Sequence, residues 1–209
     1  MISLEIYRGN LKNTIDESTD LVRTVNMVMS QSGLPVNLST TQRDSIVEWA
    51  FVRVHAAWEG FLESCFIAYM LGGKTVSGFA PVRYVFPNDE QHALGMILAG
   101  REYFPWTAPE ALRRQSGLCF QNGSPFCEIL GEATTELQEV NTLRNYIIHR
   151  SRVSGEKFKS LVRDKMLTVP LNVTPASFLL TARLGMAQRT YFAHYCNKLT
   201  IVSNKIVPS

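Results

Sequence analysis

An arginine stands where a helix should be apolar, and that constrains the fold more than any other feature of the chain. On a helix turning about 100° per residue, Ile129, Leu130, Ala133, Leu137, Val140, Leu143, Ile147 and Ile148 share one face, and Arg144 projects from its middle. A guanidinium buried there needs a partner, because an unpaired charge in a core is costly. Gln138, Asn141, Asn145 and His149 recur at three- and four-residue steps and form a polar strip beside the apolar face. Charge, amide and imidazole therefore meet at one edge of a buried helix.

The rest of the chain also reads as helical. A first helix is predicted from about residue 5 to Ser30, ended by Ser32-Gly33-Leu34-Pro35. Ser39-x-x-Gln42 has the spacing of a capping box and opens a second helix to Leu71, stopped by Gly72-Gly73. Its apolar residues nearly encircle it, while Glu48, His55, Glu59 and Glu63 share one strip, which marks a central helix. Ala50, Ala57, Gly60 and Ser64 would let a neighbouring helix approach closely. Of the polar strip, Glu59 is the candidate partner for Arg144, Glu48 and Glu63 read as a solvated face, and His55 reads as structural.

Residues 72–123 are rich in Gly, Pro and aromatics and read as a packed insertion, with short helices at 88–99 and at 108–116 behind a Thr107-x-x-Glu110 box. Ser124-Pro125 is predicted to cap and start the helix carrying Arg144, with proline at its first position and Arg150 near its end. A basic helix near 155–166 and a last helix from Thr174-Pro175 to about Lys205 follow. Short β signals such as Leu167-Val-Pro-Leu are too few for a sheet. The expected class is all-α: a bundle of four to five long helices in one domain over 1–209, interrupted by the insertion.

A chain of 209 residues that is 45% apolar is long enough for one well-buried domain. Its net charge of +3 is unevenly placed: residues 144–209 hold 11 Lys/Arg against 2 Asp/Glu, and residues 1–143 hold 10 against 16. Arg150, Arg152, Lys157, Lys159, Arg163 and Lys165 directly follow His149, so phosphate recognition is the economical reading of that asymmetry. Cys65, Cys119, Cys127 and Cys196 show neither CxxC nor ligand spacing with histidine, so no zinc site, disulfide framework or cofactor is expected. No apolar leader or spanning segment is read, and a reducing cytoplasm is the expected location.

Arg144-Asn145-x-x-x-His149 on a long amphipathic helix resembles the Arg-x(4–6)-His motif of the HEPN superfamily of all-α proteins, many of them metal-independent ribonucleases. Val54-His-Ala-Ala-Trp58-Glu59-Gly-Phe-Leu62 resembles the Ala-x-Trp-Glu-x-Phe helix of the bacterial RiboL-PSP and MAE-type HEPN families. Asn122-Gly-Ser-Pro125-Phe126 is similar to the loop leading into their motif helix. The resemblance covers most of the chain in order, and only its Arg-Asn-x-x-x-His piece carries known chemistry.

Those residue types suit RNA cleavage without metal, because the 2′-hydroxyl of RNA is itself the nucleophile and the protein need only move protons and stabilise charge. His149 would be the acid or base, Arg144 the phosphate fork, and Asn145 would orient the histidine or contact ribose-phosphate. Arg150, Arg152, Lys157 and Lys159 would bind RNA, and Tyr146 would stack a base or anchor an interface. Arg144 and His149 stand about 140° apart on a regular helix. Either the helix distorts near Ile148, or the arginine supports the site from beneath and the phosphate passes to Arg150 or Arg152.

The resemblance implies a homodimer with a composite cleft, 2′,3′-cyclic phosphate and 5′-hydroxyl ends, and a toxin or antiphage effector restrained by an antitoxin or regulatory protein. The competing reading is a non-catalytic HEPN-like module that binds nucleic acid, nucleotide or protein. The insertion 72–123 is the expected seat of RNA specificity or antitoxin docking.

Overall fold

Heptad-like spacing of apolar residues forms the longest helices. In the first, Leu11, Ile15, Ser18, Val22 and Val25 are buried at alternating steps of four and three residues, which is the stripe a helix turns toward a core. The computed structural model describes residues 3–30, 38–183 and 186–209. Among them, the helices are α1 (Leu4–Ser30), α2 (Thr40–Met70), α3 (Glu90–Leu98), α4 (Pro109–Cys119), α5 (Phe126–Glu132), α6 (Thr134–His149), α7 (Arg152–Met166), α8 (Pro175–Leu180) and α9 (Tyr191–Ile206). A two-stranded antiparallel sheet, β1 (Ala182–Arg183) with β2 (Met186–Thr190), pairs Ala182 with Thr190 and Arg183 with Met186. The class is all-α. The expected stop at Ser32-Gly33-Leu34-Pro35 lies outside the described residues.

Local signals in the sequence account for several boundaries. The Ser39 hydroxyl accepts from the Gln42 N–H at 3.2 Å while the Gln42 side chain accepts from the Ser39 N–H at 2.9 Å, so the capping box that opens α2 is formed. Thr174 makes the same reciprocal pair with Ser177 at the start of α8, with Pro175 in the first turn.

Four boundaries differ from the expectations above. The helix expected over 125–150 is two: Ala133, at φ −108 and ψ 6, leaves helical geometry between α5 and α6, and the Thr134 hydroxyl donates to the Leu130 carbonyl at 2.8 Å. Pro125 is the N-cap of α5 rather than its first residue, and α4 starts from Ala108 with Pro109 behind it rather than from a Thr107 box. The expected last helix is interrupted by the small sheet, leaving α8 and α9 on either side.

The chain divides into two compact units. One comprises Met1–Lys12, Ala57–Gln138 and Lys198–Ser209. Its core is aromatic: the Phe66 ring lies 5.0 Å from Phe126, 5.1 Å from Phe120 and 5.8 Å from Trp106, mostly edge to face. Insertion residues therefore supply core, as their composition suggests, although Tyr84, Phe86 and Tyr103 remain exposed. Arg83 reaches back from the insertion and donates to the Met70 carbonyl at 2.8 Å, satisfying an acceptor that the end of α2 leaves open. The small residues of α2 are not a close helix contact throughout: Gly60 is exposed, and a Cβ there would meet nothing within 4 Å.

Gly123 is the position in this unit where a side chain fits worst. Its φ is +66, and an added Cβ would stand 2.7 Å from Cys127 Cβ. Gly123→Ala combines left-handed strain with overlap and should cost about 2–4 kcal/mol in denaturant unfolding. Gly60→Ala, in open space on a helix, should instead gain about 0.5–1 kcal/mol. Equal behaviour of the two variants would contradict this packing.

The other unit comprises Asn13–Ala56 and Glu139–Asn197. Phe51 of α2 packs edge-on against Phe192 and Tyr195 of α9 at 6.2 and 6.3 Å, and Phe178 of α8 stacks on Tyr191 at 4.4 Å. Glu139 of α6 is buried beneath them, where it accepts from the Tyr195 hydroxyl at 3.0 Å and pairs with Lys165 at 2.6 Å. Lys165 thus turns inward, away from the basic surface to which sequence order assigned it.

Candidate functional site at the end of helix α6

Burial along α6 fades toward its C-terminus, and this fixes where its polar groups end. Leu137, Val140 and Leu143 are buried, Arg144 and Ile147 are half-buried, and Ile148 is 49% exposed. Arg144 lies on the apolar side of the helix but at the level where that side meets solvent. Its guanidinium need not enter the core, because a long stem can lie along apolar surface while the charged head stays wet. Nη1 donates to the Asn145 side-chain oxygen at 3.1 Å. Glu59, the expected partner, instead accepts from the Tyr103 hydroxyl at 2.8 Å. The hydrogen bond that Arg144 makes is with its sequence neighbour, at the surface.

Helix α6 is α-helical through His149, so of the two alternatives the distortion near Ile148 is not the one seen, and Arg144 and His149 leave the axis in different directions. Asn145 links them. It sits one turn before His149 on the same strip and holds the Arg144 guanidinium from the side. His149 itself is exposed and forms no hydrogen bond or ion pair with the described residues.

Below this end of the strip, α2 supplies two supports. His55, 4% exposed, bonds through Nε2 to the Asn141 side-chain oxygen at 2.9 Å, which anchors the strip two turns before His149. An amide oxygen only accepts, so this assignment puts a proton on Nε2. Glu48, one heptad before His55, pairs with Arg150. Its side chain is 14% exposed, so it is a largely buried ion-pair member and not the solvated carboxylate expected from sequence.

Arg150 closes α6. Its backbone is left-handed at φ 45, which costs an L-residue about 1–2 kcal/mol, and its N–H donates to the Tyr146 carbonyl at 3.1 Å. The Glu48 pair and a position 5.1 Å above the Tyr146 ring hold the side chain. Tyr146 is correspondingly occupied: its ring stacks on Phe158 at 4.9 Å, and a Cβ on Gly155 would touch it at 3.3 Å. Phe158, Gly155 and Arg150 thus pack against a ring that is still half-buried rather than enclosed.

Ser151 then caps α7, accepting from the Ser154 N–H at 3.2 Å. On α7, Phe158, Leu161 and Val162 are buried, while Arg152, Lys157, Lys159 and Arg163 are exposed. Arg152, Lys159 and Arg163 share one strip, and only Glu156, 3.2 Å from Lys159, interrupts its positive charge. The two-residue corner Arg150-Ser151 thus joins the exposed imidazole to a basic helix face. Glu48 and its partner escaped the sequence reading because spacing fixes a face of α2 but not its neighbour; the heptad separation of two polar groups in an apolar helix was the available signal.

The Arg144–Asn145 pair can offer guanidinium donors to an anion, and an imidazole nitrogen can donate or accept a hydrogen bond. Among the described residues no group of three or more His, Cys, Asp or Glu side chains is arranged to hold a metal ion. Cys65, Cys119, Cys127 and Cys196 form no disulfide among the described residues. No helix of the described chain is long and apolar enough to cross a membrane. In comparisons with known proteins, the chain matches no protein-family model, no curated protein and no solved structure.

Proposed function

We propose that the end of α6 is the active site of a metal-independent, HEPN-type endoribonuclease acting as an intracellular toxin or antiphage effector. The observation that carries this reading is an exposed His149, without a partner among the described residues, one turn after an Arg144–Asn145 pair and just before a basic helix. In the proposed reaction, the ribose 2′-oxygen attacks the adjacent phosphorus and its proton passes to a base. The bond to the 5′-oxygen breaks, that oxygen takes a proton from an acid, and the products carry a 2′,3′-cyclic phosphate and a 5′-hydroxyl. Arg144 binds the phosphate oxygens as charge builds on them, and Asn145 orients the guanidinium. One imidazole cannot be base and acid in the same step, so the working species is a homodimer whose cleft holds both copies of His149. Arg152, Lys157 and Lys159 follow the RNA backbone, and an antitoxin or regulatory protein restrains the activity.

Separate substitution of the two arginines tests the assignment. Arg144→Ala removes an exposed hydrogen bond and should leave stability within about 0.5 kcal/mol, while cleavage falls about 100-fold or more. Arg150→Ala strands the largely buried Glu48 and should cost about 1–2 kcal/mol in denaturant unfolding, with most cleavage retained while folded. Loss of cleavage in folded Arg150→Ala but not in Arg144→Ala would reverse the roles.

A non-catalytic module is the second reading, and the exposed basic strip of α7 favours it, because such a strip binds a polyanion whether or not His149 reacts. RNA binding without cleavage by the dimer would select it.

A further inference from the structure

A cleft of about 490 Å3 lies between α1, α2 and α3, wholly within the unit that lacks Arg144 and His149. Its volume is that of small-molecule sites, about 300–1,000 Å3. Ile67, Ala68, Leu71 and Leu94 give it apolar walls. The polar side chains on its lining are the carboxylates of Glu63 and Glu90 and the hydroxyls of Tyr7 and Ser64. None of these four forms a hydrogen bond or ion pair with the described residues, although Tyr7, Glu63 and Ser64 are half-buried. Among the described residues no basic side chain lines the cleft.

We propose that this cleft binds an organic cation, an ammonium or guanidinium carried on a short apolar body, with Glu63 and Glu90 as its counter-charges. Apolar walls alone would accept any small hydrophobic ligand. Two carboxylates without cationic partners select a positive one, and the free hydroxyls accept its remaining N–H groups.

Electrostatics agree with a site that awaits positive charge. Burial, and then the carboxylate of Glu59 one turn away, push the Glu63 carboxyl above its usual range. Burial, and then the charge of Glu90, push the Tyr7 hydroxyl up. A protein gains nothing in stability from a half-buried carboxylate beside another acid, and groups kept in such surroundings cluster at functional sites. The cation has two sources with the same chemistry: a free amine or guanidine, or the Lys or Arg side chain of a peptide. This inference stands apart from the ribonuclease reading.

Calorimetric titration of the full chain with phenethylamine, agmatine and an arginine-containing peptide, with 2-phenylethanol as the neutral match, tests it. At least one cation should bind at millimolar concentration or below while the alcohol does not. Glu63→Gln and Glu90→Gln should each weaken that binding about tenfold or more. Glu63→Gln should also raise the melting temperature of the unliganded protein, so lost binding cannot be put down to lost folding. Tighter binding of the free amines identifies a small-molecule site; tighter binding of the peptide identifies a basic side chain as the occupant. No heat with any cation, equal binding of the alcohol, or wild-type affinity in both variants would overturn the proposal.

Discussion

His149→Ala should lower RNA cleavage by about 100- to 10,000-fold, the contribution of a positioned proton-transfer group, and leave the melting temperature where it was. The second half of that expectation comes from the surroundings of the residue. The imidazole is exposed and has no partner among the described residues, so its removal breaks no packing and strands no polar group. His55→Ala is the informative contrast. That ring is 4% exposed and tied to Asn141, so the variant should lose stability together with activity. Wild-type cleavage by His149→Ala would remove the imidazole from the chemistry. A matching loss of stability in His149→Ala would remove the distinction between the two histidines. Expression in cells gives the same comparison as growth arrest, which His149→Ala should relieve.

Glu139→Ala should be the most destabilising single substitution on α6, at about 3 kcal/mol or more. Its carboxylate is 9% exposed and serves two partners at once, Lys165 at 2.6 Å and the Tyr195 hydroxyl at 3.0 Å. Tyr195 is fully buried, and burial followed by the neighbouring carboxylate pushes its hydroxyl far above the ordinary phenol range. It therefore acts only as a proton-bearing donor to Glu139. Removing the carboxylate leaves that donor unpaired and isolates the Lys165 charge. Tyr195→Phe should cost less, about 1–2 kcal/mol, because the ion pair survives. Glu156→Ala removes the exposed pair with Lys159 and should change stability by less than about 0.5 kcal/mol. Denaturant unfolding of the three variants checks this order, and a Glu139→Ala protein as stable as Glu156→Ala would contradict it.

What could be read in the sequence was local, and what could not depended on distant partners. The start of α2 followed from Ser39 and Gln42, and the start of α8 from Thr174-Pro175, because caps are made by residues three apart. The break at Ala133 was hidden because Leu130, Ala133 and Leu137 are all buried, so the apolar stripe runs on while the backbone does not. The sheet between α8 and α9 was hidden in the same way, by helical spacing on both sides of a short hairpin.

Arg144 shows the limit most clearly. Periodicity placed it on the apolar face, but not at the height on α6 where that face meets water. A core carboxylate such as Glu59 is therefore not required, and Glu59 accepts from Tyr103 of the insertion. The partners of Arg150 and His55, Glu48 and Asn141, lie about a hundred residues away in sequence, at separations of 102 and 86.

The most direct test incubates purified wild-type and His149→Ala protein with total cellular RNA in excess EDTA and maps the ends of any fragments. A metal-independent ribonuclease using His149 predicts fragments from the wild type alone, each ending in a 2′,3′-cyclic phosphate with a 5′-hydroxyl on its neighbour. Intact RNA after incubation with folded, dimeric wild-type protein, or equal cleavage by both proteins, would contradict it.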